Sequence, residues 1–450
     1  MIIRAIIVAV IMLGVLVTIH ELGHFFVARL LKIKAYEVSI FVGPKLIDWR
    51  KNDVEYSIRA LPFGAYVRFN DFDENGNIIV SDDPTLLENS PRWKRLIVAL
   101  AGPFMNLVLG VILYALLFVF IGSPSLEIDG FVEGTQMGDV YVCETTPVDA
   151  GDTIVKINGF RVFNGLDYLY YDEFYSPLEP MEFTMRSHVT GDLYEITLEP
   201  QITQRPMIGI MYYPGADNKY NGWEIADVND SQNNGDPILK IGDYLTKING
   251  KSVLDEDFDE FLSSIVEGDT LTLTYFRNGQ EYEEECVYTM MKSTNMRGIY
   301  LKSYSITDVS SFLKLLKSAC TMPYTIITAS AHAIGTVFRG QEEVYNMVAG
   351  PVGMTSAVSE VVNNVDVSIA DKLLNVLQMS GTISLGLVFT NLLPIPGLDG
   401  MQIVLIVVEM IIGHPLSKKS EYVLNAVGLV LLVGLALFAL TSDIIRIIVE

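Results

Sequence analysis

Two histidines four residues apart, with a glutamate beside the first, are the residues most able to do chemistry: His20-Glu21-Leu22-Gly23-His24. On a helix, positions i and i+4 share a face, so both imidazoles can reach one metal ion. Glu21 sits where a carboxylate could take a proton from a water that the metal acidifies. The bland alternative is a pair of helix histidines with satisfied ring nitrogens. Location weighs against it, because the motif lies inside an apolar run at residues 2–31. A carboxylate in a membrane span costs about 3 kcal/mol even on the lenient insertion scale, so it normally persists only for function.

A catalytic zinc site needs a third protein ligand and an open fourth position. The candidate lies in Asn391-Leu392-Leu393-Pro394-Ile395-Pro396-Gly397-Leu398-Asp399-Gly400, within an apolar run at 377–412. That run holds two charged residues, Asp399 near its middle and Glu409 near its end. Glu409 is close enough to the following loop to reach water at the membrane interface, whereas Asp399 has no such escape. Pro394 and Pro396 lack a backbone donor and must unwind or kink the helix. Irregular backbone at membrane depth is tolerated where it is buried in protein or lines a wet cavity. A kinked helix with a structurally paired aspartate is the alternative. His188, His332 and His414 read as surface or packing residues. Cys143, Cys286 and Cys320 have no ligand spacing. A Cys143–Cys286 disulfide is conceivable in an oxidising compartment, but three unpaired buried thiols are the expectation.

The elements that must position these groups are membrane helices. Half of the 450 residues are apolar and the mean hydropathy is +0.34. Four runs approach or exceed the roughly 20 residues that cross about 30 Å of hydrocarbon: residues 2–31, 96–121, 377–412 and 423–441. The first has a basic start at Arg4 but no small-x-small cleavage site after it, so it reads as a retained span rather than a signal peptide. Residues 310–337 are weaker and read as an amphipathic helix lying on the membrane. Lysines and arginines fill the 32–95 loop, and Lys418 and Lys419 lie in the loop before the last span. Both loops are therefore expected in the cytoplasm, with the central block and both termini outside.

That central block is acidic. Residues 123–300 carry 32 acidic and 11 basic residues, a net of −21 out of −23 for the whole chain. Nucleic acid is excluded as a partner on this charge. A solvated acidic surface is the simpler reading. Within the block, Gly151-Asp152-Thr153-Ile154-Val155-Lys156-Ile157-Asn158-Gly159 recurs 91 residues on as Gly242-Asp243-Tyr244-Leu245-Thr246-Lys247-Ile248-Asn249-Gly250. Each copy is a short strand entering an Asn-Gly hairpin turn. The pattern resembles the PDZ domain, a small β-rich module that binds extended peptides along a strand. The second copy matches over 222–288, while the first is shortened around Thr145-Thr146-Pro147-Val148-Asp149.

His-Glu-Leu-Gly-His in the first span together with Asn391-x-x-Pro394-x-Pro396-x-Leu398-Asp399-Gly400 resembles the site-2 protease family, and more narrowly its bacterial members with tandem PDZ domains. The likeness extends to Phe41-Val42-Gly43-Pro44-Lys45-Leu46, Ala101-Gly102-Pro103-x-x-Asn106, Gly350-Pro351-Val352-Gly353, and Asn425 with Gly428. The resemblance implies zinc on His20, His24 and Asp399, with Glu21 as general base and Asn391, Pro394 and Pro396 near the substrate. It also implies a membrane-associated hairpin over 54–69, turning at Pro62-Phe63-Gly64, in which Gly64 and Tyr66 help present an edge strand to substrate. Ala65 stands where the family often has a second glycine.

The expected fold is an α-helical membrane protein of about four spans plus that hairpin, with two PDZ domains between the second and third spans. The expected parts are residues 1–122, 123–204, 205–303, 304–376 and 377–450. The resemblance implies cleavage of single-span membrane proteins in the bilayer after a site-1-type protease has shortened them. Anti-sigma factors and signal-peptide remnants are the implied substrates, a bacterial inner membrane the implied location, and a size-selecting gate the implied role of the PDZ pair. Two rivals stand beside this reading: a non-catalytic adaptor binding peptides through the repeats, and a membrane zincin of another family with a later glutamate as third ligand. Against the adaptor, purified protein should carry about one zinc per chain. Asp399→Ala should lose much of it, and full zinc retention in both His20→Ala and Asp399→Ala would exclude this ligand set.

Overall fold

The structure is a computed structural model that describes residues 2–70, 79, 81–131, 148–174, 180–198, 202–206, 210–213, 220–228, 233, 237–255, 257–266, 268–287, 290–294, 299–338, 351–364, 367–415 and 417–449. The expected Cys143 and most of the shortened approach to Gly151 lie outside these residues, as does Gly350. Contacts divide the chain into two compact units. One comprises residues 1–128, 153–175 and 301–450, and the other 129–152 and 176–300.

In chain order, α1 (Ile2–Leu30) leads into strands β1 (Glu37–Lys51) and β2 (Val54–Arg68), then α2 (Arg92–Ile121). A β-rich stretch follows: β3 (Ser123–Phe131), β4 (Thr153–Ile157), β5 (Phe160–Arg161), helix α3 (Gly165–Phe174), β6 (Met181–Arg186), β7 (Leu193–Leu198) and β8 (Ile202–Pro206). It continues through β9 (Ile210–Tyr213), β10 (Trp223–Val228), β11 (Tyr244–Ile248), β12 (Lys251–Ser252), helix α4 (Phe258–Ser263), β13 (Thr270–Arg277), β14 (Gln280–Val287), β15 (Met290–Thr294) and β16 (Ile299–Tyr304). The chain ends in helices α5 (Val309–Phe338), α6 (Pro351–Asn363), α7 (Ile369–Leu392), α8 (Asp399–Ile412) and α9 (Lys418–Val449).

Among the described residues, four helices are long and apolar enough to cross a membrane: α1, α2, α7 and residues 426–444 of α9. Their faces follow the helical period. In α1, Ala5, Ala9, Met12 and Leu16 are buried against Val358 of α6 and residues of α2 and α7, while Ile3, Ile7, Ile11 and Val15 are exposed. The exposed stripe fits hydrocarbon, which does not penalise apolar surface. The third apolar run resolves into two helices, because Pro394 and Pro396 end α7 and Gly397 takes a left-handed φ of +98° before α8 begins.

The stripe of Leu315, Ala319, Met322 and Ile326 on helix α5 packs on Tyr114, Leu117 and Phe118 of α2 and Leu385 of α7. Cys320 corrects the expectation of buried thiols: it follows Ala319 by one residue, about 100° around the helix, and is exposed and free. Cys286 is buried and free.

The hairpin is built differently from the sequence expectation. Asn52 and Asp53, both at positive φ (51° and 60°), make the tight turn between β1 and β2. The chain does reverse again near Gly64 (φ +70°), but the two arms of β2 do not pair with each other. Residues 37–40 lie between them, matched to 55–58 on one side and 65–68 on the other. Glu37 explains this order. Its carboxylate accepts hydrogen bonds from Arg59 Nη2 (2.7 Å) and Ser57 Oγ (2.9 Å) on one arm and from Tyr66 OH (3.0 Å) on the other. Arg68 Nε on the second arm lies 3.3 Å from it. Among the described residues, no further strand pairs with the outer side of 65–68.

Within the second unit, β14, β13, β11, β10 and β9 form an antiparallel sheet in that order. Leu271, Leu273 and Tyr275 alternate inward along β13 onto a core with Trp223, Ile225, Leu245 and Ile248. Both repeat copies form the same hairpin, with Asn158-Gly159 and Asn249-Gly250 all at positive φ. The aspartate of each copy is buried and held by a basic side chain. Asp152 meets His188 Nδ1 at 2.9 Å, and Asp243 meets Arg277 at 2.9 and 2.6 Å.

Glu37 also sets a pH dependence. Burial alone would raise its carboxyl, but the hydrogen bonds from Arg59, Ser57 and Tyr66 bring it below its ordinary value of 4.5. A depressed folded-state value gives stability that is complete above 4.5 and disappears as pH falls through that lower value. Hydrogen-exchange protection of residues 55–58 and 65–68 should therefore hold from pH 7 to about 5 and drop in more acid solution. Glu37→Gln should lower that protection already at pH 7; unchanged protection would remove Glu37 as the organiser.

Candidate metal centre

Helix α1 and the first turn of α8 bring His20, His24 and Asp399 together, with ligand atoms all within 4.8 Å of one another. Their facing atoms form a small triangle. Asp399 Oδ2 lies 3.0 Å from His20 Nε2 and 3.4 Å from His24 Nε2, and the two Nε2 atoms are 3.2 Å apart. A tetrahedral zinc site with bonds of about 2.0–2.1 Å has ligand–ligand edges of about 3.3 Å. Asp399 Oδ2 is buried without a hydrogen-bond partner, as expected of an atom reserved for an ion. Both histidines are less than 10% exposed. The donor set and the triangle therefore fit zinc.

The neighbouring helices make this convergence sterically feasible. Gly102 of α2 faces both imidazoles: a Cβ there would lie 2.3 Å from His24 Nε2 and 2.6 Å from His20 Nε2. Gly23 lets the same two helices meet, since its Cβ would lie 2.5 Å from the Ala101 carbonyl oxygen. His24 Nδ1 donates to the Val98 carbonyl at 2.7 Å, which leaves Nε2 as the ligand nitrogen. On the α8 side, Gly400 packs against the carbonyls of Leu392 and Leu393, where a Cβ would stand 2.4 and 2.3 Å away. Gly428 of α9 backs directly onto Pro396, with a Cβ position 2.1 Å from the proline ring. The chain break that carries Asp399 is thus wedged between α7 and α9.

Glu21 faces a cavity of about 750 Å³. His24, Asp399, Tyr66, Val67, Gln402 and Glu409 also line it. The Val67 N–H donates to Glu21 Oε2 at 3.1 Å, so the outer arm of β2 touches Glu21. Of the other expected site residues, Asn391 lies in the last turn of α7, Pro394 and Pro396 form the break, and Gly64 makes the reversal before Tyr66. These four do not line this cavity.

Glu409 departs from expectation. It is 2% exposed and paired with Arg95 at 2.9 Å, so it is buried against α2 rather than reaching water. Two residues 314 positions apart carry no periodic signal, so nothing local marks them as a pair. Glu37 likewise had no local signal, whereas Gly102 stood in the Ala101-Gly102-Pro103-x-x-Asn106 string that the family resemblance rests on, without its place against the histidines being read from it.

A model of peptidase family M50 matches residues 8–435. The chain belongs to that family, the site-2 proteases. It is a multi-pass membrane metalloprotease, and zinc is the metal its donor set fits. The relatives it resembles include proteins named "Putative zinc metalloprotease". One, from Clostridium acetobutylicum, is 33% identical over 221 residues, covering 48% of this chain and 58% of that protein. Another, from Staphylococcus aureus strain COL, is 27% identical over 456 residues and 97% of both chains. The Regulator of sigma E protease of Haemophilus influenzae is 22% identical over 461 residues, covering 97% of this chain and 98% of that one. Among solved structures, an aminopeptidase N family protein from Idiomarina loihiensis matches with 15% identity and a TM-score of 0.20. That match covers 35% of this chain and 24% of the other, and it carries no structural weight.

Gly102 offers a direct test of the crowding in this M50 site. Gly102→Ala favours the helix by about 1 kcal/mol in propensity, so the fold gains locally. The added methyl must push the two Nε2 atoms apart, and zinc affinity, measured by chelator competition, should fall at least about tenfold. Native affinity in this variant would mean that the imidazoles point elsewhere.

Proposed function

We propose that this M50 protease cuts peptide bonds in or near transmembrane segments of single-span membrane proteins, with zinc on His20, His24 and Asp399 and Glu21 as general base. The observation that carries the reading is the ligand triangle beside Glu21, opening into a cavity bordered by residues 65–68, whose outer side pairs with no further strand among the described residues. Zinc, when bound, acidifies a water and polarises the scissile carbonyl. Glu21 would take a proton from the attacking water as its oxygen bonds to the scissile carbonyl carbon, and return it to the amine released when the C–N bond breaks. The Val67 N–H on Glu21 Oε2 keeps one carboxylate oxygen oriented and leaves the other for proton transfer.

A transmembrane helix hides its peptide bonds in internal hydrogen bonds, so substrate must be drawn out as an extended strand. The outer side of residues 65–68 can accept such a strand by edge addition, next to the base. Gly64 permits the reversal that presents this edge. Tyr66 is tied back to Glu37, which steadies it. Asn391, Pro394 and Pro396 then help hold the strand as it passes the break before Asp399. The repeated β-rich modules, read as two PDZ domains at 123–204 and 205–303, supply no ligand and no base, so their part is selection of substrate by size. On the loop charges, these modules face the outside of a bacterial inner membrane and the zinc opens toward the cytoplasm. The relative named for regulating sigma E supports a place in regulated intramembrane proteolysis, after a first cut by a site-1-type protease. Anti-sigma factors and signal-peptide remnants are the substrate classes of that reading.

Glu21→Gln keeps the size of the side chain and removes its basicity. The variant should hold zinc and bind substrate while cleaving about 10²- to 10⁴-fold more slowly, as measured on a reconstituted single-span substrate. Cleavage near the native rate would take the general-base role away from Glu21.

A further inference from the structure

Asn106 lies on α2 in line with the two positions that already serve the histidines. Val98, Gly102 and Asn106 are spaced by four residues and so form one helical stripe. Val98 accepts from His24 Nδ1, Gly102 leaves room for both Nε2 atoms, and Asn106 Nδ2 lies 3.3 Å from His20 Nδ1. Asn106 is 0% exposed, and its Oδ1 is buried without a partner. Burying an amide this deeply is costly unless it is bonded, and His20 is the side chain it meets.

The proton inventory of the ring gives the amide a purpose. His20 Nε2 faces Asp399 Oδ2 and His24 Nε2, so it is the nitrogen directed to the ion. A neutral imidazole has one N–H, and a ligand Nε2 must offer its lone pair, so the hydrogen belongs on Nδ1. That N–H needs an acceptor. The Asn106 amide carries both an acceptor and a donor, and a half-turn about its terminal torsion exchanges them. Its Nδ2 can donate to a bare Nδ1, and its Oδ1 can accept from Nδ1–H. Ser384 Oγ donates to the Asn106 backbone carbonyl at 2.8 Å, linking this residue to α7.

We infer that Asn106 is a positioning residue whose Oδ1 accepts the Nδ1 hydrogen of His20, fixing the ring in its metal-binding tautomer and plane. His24 has a backbone carbonyl for this purpose, whereas His20 depends on a side chain. The inference rests on the reading of His20 as a zinc ligand. An asparagine rather than an aliphatic residue is required because the ring must be held before and after it takes up the ion.

The test compares zinc affinity, by chelator competition, for the purified full-length chain and two variants. Asn106→Leu keeps the volume and removes the acceptor; it should weaken zinc binding about 10- to 100-fold. Asn106→Asp keeps an acceptor and removes the donor; it should stay within about threefold of native or bind more tightly. Because the leucine variant could fold poorly, ¹⁵N spectra of the native chain with labelled histidine provide a second measurement, in which zinc-loaded His20 should carry its proton on Nδ1. Native affinity in Asn106→Leu, an Asn106→Asp variant as weak as the leucine one, or a zinc-loaded His20 protonated at Nε2 would each overturn the inference. His20→Ala separates the two levels: if it keeps zinc, the ligand assignment itself fails; if it loses zinc while Asn106→Leu does not, only the role of Asn106 fails.

Discussion

Charge in hydrocarbon is the constraint on which the rest of this structure depends. An ionised or strongly polar side chain at membrane depth costs several kcal/mol unless protein groups or an ion replace its water. His20, Glu21, His24, Asp399 and Glu409 all lie in apolar segments, and the structure gives each a partner or a cavity. The two histidines and Asp399 face one another, Glu21 takes the Val67 N–H, and Glu409 takes Arg95. The architecture is arranged so that none of these groups is left facing lipid alone.

Such an arrangement requires backbones to approach closely, because lipid offers little hydrophobic drive to bring helices together and packing must supply it. Glycine supplies the approach at the metal: Gly23 and Gly102 where α1 meets α2, Gly400 where α8 folds against the end of α7, and Gly428 where α9 meets Pro396. In each case the space a Cβ would need is already filled by backbone or by a ligand ring. Rigidity follows from the same contacts. A wedged break can hold Asp399 at hydrogen-bond distance from two imidazoles although it lies in no regular helix until its own first turn.

The hairpin brings a different kind of order to the same cavity. Glu37 gathers Ser57, Arg59 and Tyr66 around one carboxylate, and this forces residues 37–40 between the two arms of β2. One arm is consumed in pairing on both sides, while among the described residues no further strand pairs with the outer side of the other, whose Val67 N–H is held by Glu21. An edge that would be a liability in a soluble sheet here lines the wall of the cavity.

The His-Glu-x-x-His spacing, the two prolines before Asp399 and the four apolar runs are local patterns, so the membrane class, the spans and the ligand candidates were legible in the residues themselves. The repeat was legible for the same reason, since its hairpins are closed by Asn-Gly pairs adjacent in the chain. Tertiary structure alone decided what lies between distant segments. It placed Arg95 on Glu409 across 314 positions, inserted residues 37–40 between 55–58 and 65–68, and set Gly102 and Asn106 against the histidines. Periodicity reports which face of an element is buried but not against what. The partner of a buried charge is fixed by which helices pack together, and that depends on the shape of the whole membrane core.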